Sequence, residues 1–260
     1  MPETIGSVLL DHPLDGVARL RLNRPEARNA LNTAMRQALA QTFELVDRDP
    51  GVRCLIICGA PTFFAAGADL KEMALLGSAE VYHLGAARHW QVIADFSKPV
   101  IAAVAGPALG GGCELAQHAD IILATRSARF GQPEVGVGIM PGGGATQRLV
   151  RALGKYRAMK LLMAGEPISG EEAFAIGLVT ELVADDALEA RALVLAAHIA
   201  SRPPMSLRLI KQVALAGEDS SLAAGLMLER RAFELLFDTA DQKEGMAAFA
   251  ERRPPCFSGG

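Results

Sequence analysis

Short apolar runs recur along the first half of the chain. Residues 17–22, VARLRL, alternate between apolar and charged positions, which is typical of a strand with one buried face. Residues 52–58, VRCLIIC, and 99–104, PVIAAV, are almost continuously apolar, and a similar run covers 120–124. Runs of this length and composition predict strands buried on both faces.

Segments with helical periodicity separate these runs. Asn32 or Thr33 is placed to cap a helix that reaches about Asp47, and a second helix is predicted over 79–96. A third helix begins at the glycine triplet 110–112. Strands that alternate with helices in this way predict parallel βαβ units and an α/β fold.

The pattern changes after about residue 144. Residues 144–249 are mostly helical in periodicity, with one short strand candidate at 178–183. Amphipathic segments such as 222–237 dominate the last part of the chain. We therefore expect an α/β core over 1–199 and a helical region over 200–260.

Composition narrows the class of protein. The chain has 260 residues, of which 50% are hydrophobic and 21% charged, and its net charge is −3. This is an ordinary globular composition, and a slightly acidic chain without a basic stripe is not expected to bind nucleic acid. The first residues lack the features of a signal peptide, and no apolar stretch is long enough to span a membrane, so we expect a cytoplasmic protein.

The cysteines and histidines do not form a recognisable metal or redox motif. We expect all four cysteines to be buried free thiols, and we expect no metal ion and no separate cofactor. Cys113 and His118 could suggest a thiol nucleophile, but a spacing of five residues does not place them on one helix face.

Two loops made of small residues are candidates for binding an oxygen atom. One lies within 63–73, FFAAGADLKEM, and the other is 110–114, GGGCE. Each follows a strand and opens a helix, where the first N–H groups lack intrahelical partners. Two such loops could direct two N–H donors at one oxyanion. The same pattern is also typical of ordinary tight turns between strand and helix.

Two carboxylates lie beside small residues in apolar segments. Glu114 follows the glycine triplet, and Glu134 lies within 130–140, FGQPEVGVGIM. Two buried acids close together would perturb each other's pKa and could act as proton donor and acceptor. Either could instead be a helix-capping or surface acid. The segment 141–148, PGGGATQR, lacks the lysine of a phosphate-binding loop and is interpreted as a turn that caps the next helix.

Five segments in this order resemble the enoyl-CoA hydratase/isomerase (crotonase) family. They are FFAAGADLKEM, KPVIAAV, ALGGGCELA, FGQPEVGVGIMP and TQRL. The resemblance covers the chain from about Val17 to its end, and is strongest to short-chain bacterial hydratases, including those of phenylacetate breakdown that act on 2,3-dehydroadipyl-CoA. It implies a core of ββα turns wound into a spiral, followed by a helical trimerisation domain, and a homo-hexamer built as a dimer of trimers.

The resemblance also implies roles for individual residues. Ala68 and Gly111 match the oxyanion-hole positions, and Glu114 and Glu134 match the two catalytic acids. Further positions match the coenzyme A and acyl channel, or the C-terminal part near the CoA end: Ala27, Arg28, Ala30, Ala66, Asp69, Leu70, Lys71, Phe233 and Arg252. The implied reaction is reversible addition of water to a trans-2-enoyl-CoA, as in fatty-acid β-oxidation, with coenzyme A as part of the substrate. The alternatives are a 3,2-enoyl-CoA isomerase or another acyl-CoA enzyme of the family.

Some positions depart from the family pattern. Ala105 and Pro107 stand where Asn and Tyr are expected, and Glu26 stands where Lys is common. The segment 141–145, PGGGA, replaces the more usual PGAGG. These differences concern the affinity for coenzyme A and the shape of the acyl pocket. The four oxyanion and carboxylate positions are unchanged.

Overall fold

A seven-stranded sheet and a smaller three-stranded sheet organise the protein, which a computed structural model describes over residues 2–260. The strands are β1 (Glu3–Ile5), β2 (Val8–Leu14), β3 (Gly16–Leu22), β4 (Val52–Cys58), β5 (Val100–Val104), β6 (Pro107–Leu109), β7 (Ile121–Thr125), β8 (Arg129–Gly131), β9 (Ile168–Ser169) and β10 (Glu181–Val183). The large sheet has the order β1-β2-β3-β4-β5-β7-β10, and the small sheet has the order β6-β8-β9.

The α-helices lie between the strands and dominate the C-terminal part. They are α1 (Thr33–Arg48), α2 (Leu70–Met73), α3 (Ser78–His83), α4 (Ala86–Ala94), α5 (Gly111–Gln117), α6 (Ala145–Leu153), α7 (Lys155–Ala164), α8 (Gly170–Ala175), α9 (Leu188–Ala200), α10 (Pro204–Glu218), α11 (Leu222–Leu236) and α12 (Ala240–Glu251). Short 3₁₀ turns cover Pro25–Ala27 and Pro133–Val137. None of the helices within residues 2–260 is both long and apolar enough to cross a membrane.

The predicted α/β architecture is confirmed, and the sheet is mixed rather than wholly parallel. Strands β3, β4, β5, β7 and β10 pair in parallel, as the alternation of strands and helices predicts. The antiparallel strands β1 and β2 extend the sheet at its N-terminal edge and were not predicted. Their sequence, ETIGSVLLDHPL, carries Asp11, His12 and Pro13, which interrupt the alternation of apolar and polar positions.

Two other sequence predictions need correction. The helix predicted over 79–96 is two helices, α3 and α4, because Gly85 between them adopts a left-handed conformation with φ of 67°. The strand predicted over 178–183 covers only Glu181–Val183. Helix α1 begins at Thr33 as predicted, and the Asn32 side chain caps it by accepting the Met35 N–H at 2.8 Å.

Both faces of the large sheet are covered by apolar side chains. Helix α1 packs on one face, with Met35, Leu39 and Phe43 almost wholly buried in the main core. Helix α9 covers the other face, where a second cluster contains Val17, Cys54, Ile56, Ile101, Leu123, Leu188, Ala192 and Ala196. Coverage on both faces explains why β4 and β5 are continuously apolar in sequence.

Helices α10 to α12 carry large apolar side chains that this single chain leaves exposed. Leu222, Phe233, Leu235 and Phe249 are each at least 60% exposed. A groove of about 620 Å³ runs between α10 and α11 and is lined mainly by apolar residues. The division into a core over 1–199 and an oligomerisation region over 200–260 stays a prediction.

The cysteines are free, and one departs from the expected burial. Cys54, Cys58 and Cys113 are buried, whereas Cys256 is exposed near the C-terminus. The Cys256 N–H donates to Glu244 of α12 at 2.8 Å, which fixes the backbone on the helix and leaves the side chain exposed.

Candidate active site

The short parallel pair β6–β8 places the glycine triplet next to the segment that carries Glu134. Pro107, Ala108 and Leu109 pair in register with Arg129, Phe130 and Gly131. The Gly110 N–H continues the ladder by donating to the Gly131 carbonyl at 2.9 Å. Each strand then leads directly into a short helical segment. Because the strands are parallel, the two segments that carry the candidate acids start at the same end of the strand pair.

The glycines of the triplet satisfy different steric demands. Gly110 adopts φ of 49° and ψ of −125°, which side-chain-bearing residues avoid. Gly112 lies against the backbone and Cβ of Ala65, and an added Cβ on Gly112 would come within 2.7 Å of that Cβ. The triplet therefore turns the chain sharply into α5 and lets α5 lie directly on the 63–68 loop.

Two backbone N–H groups lie close together without acceptors. The Leu31 N–H donates to the Gly67 carbonyl, and the Asp69 N–H donates to the Leu31 carbonyl. In a parallel bridge of this kind, the N–H of the residue between them, Ala68, points away from Leu31. A Cβ added to Gly111 would lie 3.7 Å from the Ala68 nitrogen. Among the residues that the structure describes, neither the Ala68 N–H nor the Gly111 N–H donates a hydrogen bond to the protein. Two adjacent free donors are what an oxyanion hole requires.

Glu114 is buried on the first turn of α5, and backbone donors from another helix hold it. Its Oε1 accepts the N–H groups of Gly143 at 2.7 Å and of Ala145 at 3.1 Å. These donors belong to the N-terminal end of α6, where free N–H groups and the helix dipole favour negative charge. Burial raises the pKa of Glu114, and the hydrogen bonds from the 143–145 backbone oppose that increase. Glu114 is therefore a buried acid with a raised pKa, and the 143–145 backbone donates to the carboxylate when it is ionised.

Glu134 has a different environment from Glu114. It lies half-buried in the 3₁₀ turn Pro133–Val137, with its carboxyl group against Gly110. Burial is the main cause that raises its pKa to about 7, and the nearby charge of Glu114 adds to the increase. When the amide of the fully buried Gln132 is oriented to donate, its nitrogen lies 3.1 and 3.2 Å from the two Glu134 oxygens. Near neutral pH Glu134 can thus hold or release a proton.

The two acids have environments suited to opposite roles. Burial raises the pKa of both acids; at Glu114 hydrogen bonds from the 143–145 backbone oppose the increase, and at Glu134 the pKa reaches about 7. Neighbouring carboxyl groups in different environments can divide the roles of proton acceptor and proton donor. The free N–H of Gly111 belongs to the glycine triplet that precedes Glu114, and the free N–H of Ala68 lies next to it.

Sequence reasoning did not place Trp90, His118 and Gly143 next to one another beside Glu114. Trp90 of α4 stacks on His118, with ring centroids 5.2 Å apart and planes at 7°. His118 Nε2 lies 3.1 Å from the Gly143 carbonyl oxygen. The turn interpretation of 141–148 is correct in that Gly144 caps α6, but it omitted that the backbone of this turn binds Glu114. The signal in the sequence was the glycine run itself, which permits close approach as well as turning.

Several of the predicted channel residues lie on loops next to the one that carries Ala68. Ala27 ends the first 3₁₀ turn, and Arg28 follows it with φ of 48°. The Arg28 carbonyl accepts the Ala66 N–H at 3.0 Å, and the Ala30 N–H donates to Ala27. The backbone at 27–30 is therefore joined directly to the loop that carries Ala68.

Of the other channel residues in this region, Asp69 has a clear structural role. Its carboxylate pairs with Arg24 at 2.8 Å and caps α2 by accepting the Lys71 N–H at 3.2 Å. The Arg24 hydrogen bond is the main cause that lowers the Asp69 pKa. Leu70 and Lys71 are exposed on α2. A direct contact of the Asp69 side chain with substrate stays a prediction, as do the roles of Leu70 and Lys71.

Phe233 and Arg252 lie on the C-terminal helices. Phe233 of α11 is 60% exposed and packs edge-to-face on Phe237. Arg252 ends α12 in a left-handed conformation with φ of 55°. Neither residue has a described contact with Glu114, Glu134 or the oxyanion donors in this chain, so their roles near the CoA end stay predictions.

A thiol nucleophile at Cys113 does not fit the structure. The sulfur is buried, and burial raises its pKa to about 12, so the reactive thiolate is disfavoured. His118 points to Gly143, and the Cys113 sulfur instead lies 3.3 Å from the Gln117 amide. Within residues 2–260, no cluster of His, Cys, Asp and Glu side chains could hold a metal ion.

Known proteins resemble this chain over nearly its whole length. The profile of the enoyl-CoA hydratase/isomerase family matches residues 14–260. A probable enoyl-CoA hydratase of Mycobacterium leprae is 44% identical, covering 94% of this chain and 96% of the relative. The 2,3-dehydroadipyl-CoA hydratase of Escherichia coli is also 44% identical, covering 94% and 95%.

Solved structures agree with the sequence relatives. The crystal structure of an enoyl-CoA hydratase from Bacillus anthracis superposes with a TM-score of 0.94 at 36% identity, covering 98% of this chain and all of that one. This agreement confirms the crotonase fold that the resemblance implied. On sequence and on structure, the chain belongs to the enoyl-CoA hydratase/isomerase (crotonase) family.

Proposed function

We propose that this protein is an enoyl-CoA hydratase, which adds water reversibly to a trans-2-enoyl-CoA and forms a 3-hydroxyacyl-CoA. The observation that carries the proposal is the grouping of two free N–H donors with two acids, the buried Glu114 and the half-buried Glu134, in different environments. Relatives that are 44% identical carry the name of hydratases, which supports the same class of reaction.

The oxyanion donors would stabilise the charge that develops during hydration. When water adds at C3 of the enoyl thioester, the electron pair of the C2–C3 double bond moves toward the thioester carbonyl and an enolate forms. The N–H groups of Ala68 and Gly111 would bind that oxygen. Fixed donors of this kind act more strongly on the enolate than on the neutral thioester, which lowers the barrier.

The two acids would move the protons. Glu114, whose Oε1 accepts two N–H groups at the N-terminal end of α6, would accept a proton from water as the oxygen bonds to C3. Glu134, whose pKa is about 7, would then donate its proton to C2 as the carbonyl re-forms. C3 thereby gains a hydroxyl group and C2 gains a hydrogen. Proton exchange with solvent then returns both acids to their starting states.

A substrate panel tests the proposal. The purified protein is assayed with trans-2-enoyl-CoA thioesters from four to twelve carbons, with a dicarboxylic 2-enoyl-CoA, and with matching 3-enoyl-CoA thioesters. We expect 3-hydroxyacyl-CoA from the 2-enoyl substrates and little product from the 3-enoyl ones. Efficient conversion of 3-enoyl to 2-enoyl thioesters without hydration would show an isomerase instead.

A further inference from the structure

The imidazole of His118 is linked to the carboxylate of the candidate base through Gly143. Its Nε2 faces the Gly143 carbonyl at 3.1 Å, and the Gly143 N–H donates to Glu114 Oε1 at 2.7 Å. Gly143 is therefore bound from both sides, by an imidazole at its carbonyl and by the carboxylate at its N–H. Movement of this residue would move a donor of Glu114.

The geometry fixes which proton His118 carries. A carbonyl oxygen can only accept, so Nε2 must bear a hydrogen, and in the neutral ring Nδ1 is then the bare nitrogen. Nδ1 is buried and has no hydrogen-bond partner among residues 2–260. Burial is the main cause that lowers the His118 pKa to about 4, and the positive charges of Arg148 and Lys211 act in the same direction. The ring is accordingly neutral, with a single N–H that is committed to Gly143.

Trp90 and the backbone around Gly143 restrict the imidazole further. Trp90 stacks on His118 with its plane at 7°. The same indole lies so close to Gly143 that an added Cβ would come within 2.6 Å of Trp90 Cε2. The imidazole, the indole and the turn at Gly143 therefore form one packed unit beside Glu114.

We propose that His118 is a positioning residue, whose Nε2–H fixes the Gly143 turn and thereby holds the donors that orient and ionise Glu114. This inference rests on the proposed hydratase function, in which Glu114 is the base. His118 does not touch substrate in this role. Its contribution passes through the backbone of residues 143–145.

Two substitutions separate the hydrogen bond from simple packing. His118→Leu keeps an apolar side chain of moderate size and removes the donor, whereas His118→Gln retains an N–H at about the reach of Nε2. His198→Leu is the control, because His198 lies on α9 and contacts Arg202 instead of the site. All variants are compared with the parent for melting temperature and oligomer size before rates are measured.

We expect His118→Leu to lower kcat about 3- to 10-fold, the usual worth of one net hydrogen bond, with KM little changed. The acid limb of its pH–rate profile should move to higher pH, because Glu114 loses support for its charged form. His118→Gln should recover most of the loss, and His198→Leu should match the parent. Equal losses in the Leu and Gln variants, or no loss in either, would overturn the proposal.

Hydrogen–deuterium exchange distinguishes failure of this inference from failure of the proposed function. If the parent hydrates no 2-enoyl-CoA in the panel, the proposed function fails, and amide exchange over 141–146 still tests His118. Faster exchange there in His118→Leu than in the parent or His118→Gln would support the positioning role. Unchanged exchange in His118→Leu would contradict it.

Discussion

Gly143 lies against Glu114 so closely that a Cβ added to Gly143 would come 2.8 Å from the Glu114 Oε2 and 2.6 Å from Trp90. The neighbouring Gly142 has no atom within 4 Å of the corresponding position. Two adjacent glycines therefore face different constraints, and only one of them is bound to a candidate acid.

The first prediction uses this difference. Gly143→Ala should displace the carboxylate or the indole and lower turnover by about 10²-fold, the scale expected when a catalytic group is misplaced by about an ångström. Gly142→Ala is the matched control and should keep nearly full activity. Steady-state rates with a 2-enoyl-CoA decide the comparison, and equal rates in the two variants would contradict the assigned role of Gly143.

The second prediction concerns the acids themselves. Glu114→Gln and Glu134→Gln should each fold normally and each lose about 10²- to 10⁴-fold in hydration, because an amide can neither accept nor donate the required proton. Turnover is compared after circular dichroism and light scattering show the parent fold and oligomer. Wild-type turnover in Glu114→Gln would rule out the two-acid mechanism.

The third prediction follows from the Glu134 pKa, which is about 7 against an ordinary value of 4.5. Between pH 4.5 and about 7, Glu134 is protonated in the folded protein and ionised in the unfolded chain. The stability that the protonated Glu134 contributes is therefore complete below the unfolded pKa and is lost as the pH rises through the folded pKa. The melting temperature of Glu134→Gln minus that of the parent should therefore be larger at about pH 8 than at about pH 5. An equal gain at both pH values would contradict a raised pKa.

The same pKa predicts how activity varies with pH. In the proposed direction of hydration, Glu134 must be protonated, so the rate should fall as pH rises above about 7. It should also fall in acid, when Glu114 becomes protonated. A hydration rate that keeps rising well above neutrality would show that Glu134 is not the donor.

The fourth prediction tests a backbone donor. Ala68→Pro removes the N–H and should lower turnover by about 10²- to 10³-fold, the usual effect of losing one oxyanion donor. Ala68→Ser keeps the N–H and should lose much less. Because proline also restricts Gly67, the variant must match the parent in melting temperature and oligomer size before its rate is interpreted. Near-normal turnover in a folded Ala68→Pro protein would show that this loop is only a turn.

The fifth prediction concerns assembly. Helices α10 to α12 leave several large apolar side chains, among them Leu222, Phe233 and Phe249, at least 60% exposed in the single chain, and exposed apolar patches usually mark interfaces. We expect them to be buried between copies of this chain, in a homo-hexamer of two trimers as the family resemblance implies. Light scattering at micromolar concentration gives the mass directly, and a stable monomer would contradict this assembly.

The sequence predicted the parts of the fold whose pattern is local. The buried strand β4 and the capped start of α1 were predicted at their observed positions, because apolar runs and N-cap residues are short-range signals. The hairpin β1–β2 was missed because polar residues and Pro13 obscure its alternation. The break at Gly85 was missed because a single glycine is also tolerated inside helices.

The candidate site shows the same division between local and long-range information. The small-residue loops and the two acids could be identified from their immediate neighbours. The support of Glu114 by Gly143 and Ala145, and the stacking of Trp90 on His118, join residues about thirty positions apart. No periodicity encodes such contacts, so only the folded chain reveals that the 141–148 turn belongs to the site.

The β6–β8 pair limits how the spacing of the two acids can change. Since Glu114 and Glu134 leave from adjacent ends of one three-residue ladder, a single backbone register sets the spacing between them. A one-residue deletion in either strand would shift one acid against the other. The connection around Gly85, between α3 and α4, lies outside this ladder, so its length can change without altering that register. The strand register thus fixes the spacing of the two candidate acids, while nearby surface segments can vary in length.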